Sequence, residues 1–129
     1  MLASEGHVIL VVDDETAVRN VLGAMLTCLG YIPLLASGGA EGVDMLRAQE
    51  GGVAAAVLDV RMPGMDGPAT MDALRQHAPD LPCVFVSGET GKYTVNELLA
   101  RGASDVLGKP VAMDRLGHAL AAAAGAVGF

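Results

Sequence analysis

The chain of 129 residues is long enough to bury one sizeable core, and with 52% hydrophobic but only 3% aromatic residues that core has to be built from Val, Leu, Ala and Met. Its formal charge of −7, with 15 acidic residues against eight basic ones, disfavours a surface that tracks phosphate backbones, so nucleic acid is not expected as a direct partner. The opening MLASEGHVILVVDDE has a short apolar run without a basic flank and ends in three acids, which fits neither a signal peptide nor a membrane span and leads us to expect a cytoplasmic protein. In that compartment Cys28 and Cys83 read as reduced thiols in the core.

Short apolar runs alternate with stretches of helical period along the chain, the pattern of repeated βα units around a parallel sheet. The first strand is Val8–Val12, followed by a helix in which Val18, Leu22, Met25 and Leu29 recur at helical spacing. The second strand, Ile32–Ala36, contains Pro33; a proline lacks the ladder donor, which makes this an edge strand. A second helix carrying Val43 and Leu46 starts where Ser37 is placed to cap it. The third strand, Ala54–Leu58, leads to Asp59 and then to a turn rich in Pro and Gly; Asp66 or Gly67 opens the third helix, with Pro68 at a tolerated early position. Cys83–Ser87 is the fourth strand, Val95 to Arg101 lies in the fourth helix, which stops at Gly102, Asp105–Leu107 is the fifth strand, and a last helix covers roughly 113 to 124. Continuous apolar runs belong to strands covered on both faces. The expectation is one α/β domain over residues 1–129, a doubly wound, flavodoxin-like fold with strand order 2-1-3-4-5.

In such a sheet ligands bind beyond the carboxyl ends of the strands, where the chain reverses direction between strands one and three. Asp13 and Asp14 follow strand one and Asp59 follows strand three, so three carboxylates, with Glu15 nearby, converge on one crevice. Like charges that close call for raised pKa values or for a cation between them. Magnesium suits the set better than calcium, because it needs only one or two carboxylates, water and phosphate oxygens. Ser87 and Lys109 complete the crevice from the ends of strands four and five; a hydroxyl donates to a phosphoryl oxygen and an ammonium pairs with it.

With these residues in view the chain resembles the receiver domain of two-component response regulators over nearly its whole length. The stretches ILVVDDE, VLDVRMPGMDG, VFVSGE and GASDVLGKP stand in the order and spacing of that family. The resemblance implies that Asp59 is the phosphoacceptor, that Asp13 and Asp14 hold Mg2+ together with Asp59 and the backbone carbonyl of Arg61, that Ser87 and Lys109 bind the phosphoryl group, and that the Lys109–Pro110 bond is cis. It implies a sensor histidine kinase or a histidine phosphotransfer protein as donor, no turnover of an external substrate, and an output or dimer face formed by the fourth helix, fifth strand and fifth helix. Two positions depart from the family: Val106 stands where most members carry a Tyr or Phe that moves on activation, and Val111 replaces a frequent Phe. Tyr93, near the start of the fourth helix, has two readings: a plain surface tyrosine, which we favour, or a residue that takes over part of that role.

Arg61 and Glu89, two residues beyond Asp59 and Ser87, are expected to pair at the pocket mouth. GETGKY, residues 88 to 93, lacks the spacing of a phosphate loop, and His7, His77 and His118 show no metal spacing. Two other readings stay open at this point: a receiver-like binding module that works without phosphorylation, and a metal-dependent phosphatase.

Overall fold

A computed structural model describes residues 6–88 and 93–123. Five βα units follow one another: β1 (Val8–Val12), α1 (Thr16–Cys28), β2 (Ile32–Ala36), α2 (Gly39–Ala48), β3 (Val53–Asp59), α3 (Gly67–His77), β4 (Cys83–Ser87), α4 (Val95–Ala100), β5 (Asp105–Gly108) and α5 (Met113–Ala123). All neighbouring strands are parallel and the order is β2-β1-β3-β4-β5, the doubly wound arrangement expected from the sequence. Pro33 lies on the edge strand, opposite Ile9, where its missing N–H breaks no ladder bond.

Alternation along each strand sends successive side chains to opposite faces. Leu10, Val12, Leu58 and Phe85 pack with Leu46 of α2, Met71 and Leu74 of α3 and Leu98 of α4. On the other face Ile9, Val11, Val57 and Val84 pack with Leu22 and Leu26 of α1 and Leu116 and Leu120 of α5. With helices on both faces the middle of the sheet has no access to water, which is why its strands are uniformly apolar.

Several local expectations need correction. β3 runs one residue further than the apolar stretch and includes Asp59, and β5 extends to Gly108. Ser37 does not cap α2: the N-cap is Gly38, and Glu41 reaches back to accept from the Ser37 N–H at 2.7 Å. Ser37 sits one residue too early for its hydroxyl to reach the first turn, so the carboxylate serves the free donor instead. Cys28 is exposed, because at the end of α1 it lies off the Leu22–Leu26 stripe that faces the sheet, whereas Cys83 is buried in the core; both thiols are free. The third helix starts where the sequence places it, and α4 ends at Ala100 with Arg101 as its C-cap, one residue short of the expected extent. Asp66 caps α3 by accepting from the Ala69 N–H at 2.9 Å, and Thr94 and Glu97 form a reciprocal capping box at α4. Among the described residues no helix is long and apolar enough to cross a membrane.

Candidate functional site

The strand register sets the site. Val12 pairs with Leu58 and Asp59 with Val86, while Ser87 pairs with Gly108, so the residues at these strand ends face one crevice. Gly67 keeps α3 close to it: a Cβ there would collide with the Asp59 carbonyl and the Val60 Cα, and no other residue lets the helix start so near the strand. In the connecting loop Gly64 takes φ of 75°, a conformation L side chains adopt at a cost.

Asp13, Asp14 and Asp59 each offer a carboxylate oxygen, and these atoms lie within 4.8 Å of one another. Lys109 reaches into the group, with Nζ 3.1 Å from Asp13 Oδ2, 3.2 Å from Asp59 Oδ1 and 3.9 Å from Glu15 Oε1. An open cleft of about 380 Å³ beside them is lined by Glu15, Asp59, Arg61, Ser87, Gly88 and Lys109. Every candidate from the sequence except Glu89, which lies outside the described residues, thus belongs to one place: Asp13, Asp59 and Ser87 buried, Asp14, Glu15 and Arg61 exposed at the mouth, Lys109 between. The Lys109–Pro110 peptide is cis.

The charges in this group work against each other. Burial raises the Asp59 pKa, the neighbouring Asp13 carboxylate raises it further, and Lys109 and the Arg61 backbone N–H pull it down without cancelling the rise. For Lys109, burial acts to lower the pKa, but the bonds and charges of Asp13 and Asp59 outweigh it and the ammonium is held more firmly than usual. The donor set suits a hard divalent cation: it is all oxygen, it includes the exposed carboxylate of Asp14, and among the described residues Asp13 Oδ2 is buried with no well-formed hydrogen bond besides its ion pair.

Two features escaped the sequence reading. Arg19 of α1 donates through Nη1 to the Asp13 carbonyl at 2.8 Å and through Nη2 to Thr16 Oγ1 at 3.3 Å, tying the helix to the loop that carries the acids. The Asp13 carboxylate itself accepts from the Glu15 N–H at 2.9 Å, and its own N–H donates to Ala36 at 3.1 Å. An arginine one turn inside a helix carries no sequence signal of such a bond. Tyr93, expected at the surface, is half-buried against the α3 side of the core and donates its hydroxyl to Asp66 Oδ2 at 2.8 Å. That bond spans two loops distant in sequence, which no local pattern records.

Residues 9–121 match the family model described as the response regulator receiver domain. The tetrathionate response regulatory protein TtrR of Salmonella typhimurium is 39% identical over 108 residues, 84% of this chain and 52% of that protein. The response regulator MprA of Mycobacterium tuberculosis is 40% identical over 111 residues, 84% of this chain and 46% of that protein. The chain spans about half the length of the curated relatives it matches. Among solved structures, the Vibrio cholerae chemotaxis protein CheY4 superimposes with a TM-score of 0.80 at 28% identity, covering 92% of this chain and 98% of that one. The receiver domain of a sensor histidine kinase from Pseudomonas aeruginosa, which has a magnesium ion coordinated in its active site cleft, superimposes with a TM-score of 0.81 at 27% identity, covering 93% and 98%.

Proposed function

Because the chain belongs to the response regulator receiver family of two-component systems, we propose that Asp59 is its phosphoacceptor and that the crevice around it is the phosphoryl-transfer site. The observation that carries this reading is the convergence of three carboxylates within 4.8 Å with Lys109 at 3.1 and 3.2 Å from two of them. A purely structural strand end gains nothing from holding like charges together.

In the proposed reaction an Asp59 carboxylate oxygen attacks the phosphorus of a phosphohistidine presented by a sensor kinase or a histidine phosphotransfer protein. The P–N bond breaks, its electron pair returns to the imidazole nitrogen, and an acyl phosphate forms on Asp59. Asp13, Asp14 and Asp59, with the backbone carbonyl of Arg61, would hold a magnesium ion, whose contribution is to neutralise charge on the oxygens of the transferred group. Lys109 pairs with a phosphoryl oxygen once the transfer has used up the Asp59 charge, and the Ser87 hydroxyl donates to another. Buried strand ends fix these groups before the donor arrives, so the domain supplies positioning and electrostatics more than acid–base chemistry. The domain then acts as a cytoplasmic signalling element that catalyses only its own phosphorylation and slow hydrolysis, and the chain as a single receiver unit.

Intact-mass spectrometry after incubation with acetyl phosphate, with and without Mg2+, tests the reading. One Mg2+-dependent phosphoryl adduct, lost in Asp59→Asn, is expected. No adduct under saturating donor would leave a receiver-like binding module that works without phosphorylation.

A further inference from the structure

The two segments that leave the site meet again away from it. β3 ends at Asp59 and continues through its loop to Asp66; β4 ends at Ser87 and the chain reaches Tyr93 just before α4. There the Tyr93 hydroxyl donates to Asp66 Oδ2 at 2.8 Å, while Oδ1 of the same carboxylate caps α3 through the Ala69 N–H at 2.9 Å. Arg101, the C-cap of α4, lies 5.1 Å from the centre of the Tyr93 ring. One carboxylate is therefore shared between the starts of α3 and α4, and the tyrosine is covered from the far end of its own helix.

Among the described residues α4 has few other attachments. It has six residues and one buried side chain, Leu98, and it leaves Val95 and Leu99 48% and 42% exposed. Such an element belongs to the low-stability end of a structure. Val106 on neighbouring β5 has no ring to carry a movement to it.

We propose that the Tyr93–Asp66 bond is a latch that reports occupancy of Asp59 to α4. The proposal rests on the reading of Asp59 as phosphoacceptor. A phosphoryl group on Asp59 brings up to about two negative charges and strong acceptor oxygens to the cleft shared with Ser87. Ser87 moves to donate to them, and Tyr93, which follows it in the chain ahead of α4, shifts with it. Asp66 does not follow, because its carbonyl accepts from Thr70 Oγ1 at 2.7 Å and from the Thr70 N–H at 2.8 Å, and Gly67 is pressed against the strand end. The phenol–carboxylate bond therefore opens and α4 is released from α3. Since coupling is reciprocal, removing the bond makes Asp59 easier to load.

The chain has two tyrosines and no tryptophan, so the emission of the wild type minus that of Tyr93→Phe reports Tyr93 itself. A phenol bonded to a carboxylate is quenched by proton transfer in its excited state. Titration with beryllofluoride and Mg2+, a stable mimic of the phosphoryl group, is expected to raise the Tyr93 emission, and Tyr93→Phe is expected to bind the mimic roughly fivefold more tightly by calorimetry. Unchanged emission at saturating mimic, or wild-type affinity in Tyr93→Phe, overturns the latch while leaving the phosphoacceptor reading intact. A wild-type protein that binds no mimic at all overturns both.

Discussion

Within β3, residues 55 to 58 and the residue that follows them obey different rules. Ala55, Ala56, Val57 and Leu58 are fully buried among apolar neighbours from both helical layers, and each gains from being there. Asp59, one step on and 4% exposed, carries a carboxylate whose ionisation burial and Asp13 oppose. The interior is consistent at every level, whereas the edge is held in a state its own chemistry resists, and such conflicts concentrate where a protein does its work. Substitutions in the two regions should accordingly separate stability from chemistry.

Phe85→Ala, in the interior, should have the largest effect on stability: the ring is fully buried and its loss costs about 3–5 kcal/mol in urea denaturation. At the edge, Lys109→Met removes the cation between Asp13 and Asp59. A loss of about 1–3 kcal/mol is expected at neutral pH, reduced because the lysine is 18% exposed, and it should shrink in acid as Asp59, whose pKa is raised, protonates. Denaturation at both pH values checks this. Arg19→Ala frees the Asp13 loop and is expected to weaken Mg2+ binding about tenfold by calorimetry, with a thermal midpoint close to that of the wild type.

One effect on stability has the opposite sign. The Asp59 pKa is raised in the folded protein, so its favourable contribution is present below the ordinary carboxylate pKa and is lost as pH rises through the folded value. Ionised Asp59 is therefore a burden on the metal-free protein at neutral pH. Asp59→Asn should melt above the wild type in metal-free buffer at pH 7, and the gap should close as the pH is lowered towards 4. A mutant that melts lower at pH 7 would contradict the conflict assigned to the edge.

How much of this was legible in the sequence follows the same division. Buried strands announce themselves by apolar runs, and Pro33 marked the edge because its missing donor is a property of the residue alone. The acids and Lys109 were legible because topology brings strand ends together once the order is known. Ser37, Cys28, Arg19 and Tyr93 were missed or misplaced for a shared reason. Their places depend on which way one side chain turns at a helix end, or on a partner across the fold, as with Tyr93 and Asp66. Helical period locates a stripe to within a residue or two, too coarse to put Cys28 inside or outside.

The central claim, that the carboxylate of Asp59 is the group that takes the phosphoryl, is tested most directly by trapping it. Phosphorylated protein is treated with borohydride, which reduces an acyl phosphate to an alcohol, and the digest is mapped by mass spectrometry. The account predicts homoserine at position 59 and nowhere else. Homoserine at another aspartate, or a phosphoryl group that resists borohydride, would contradict it.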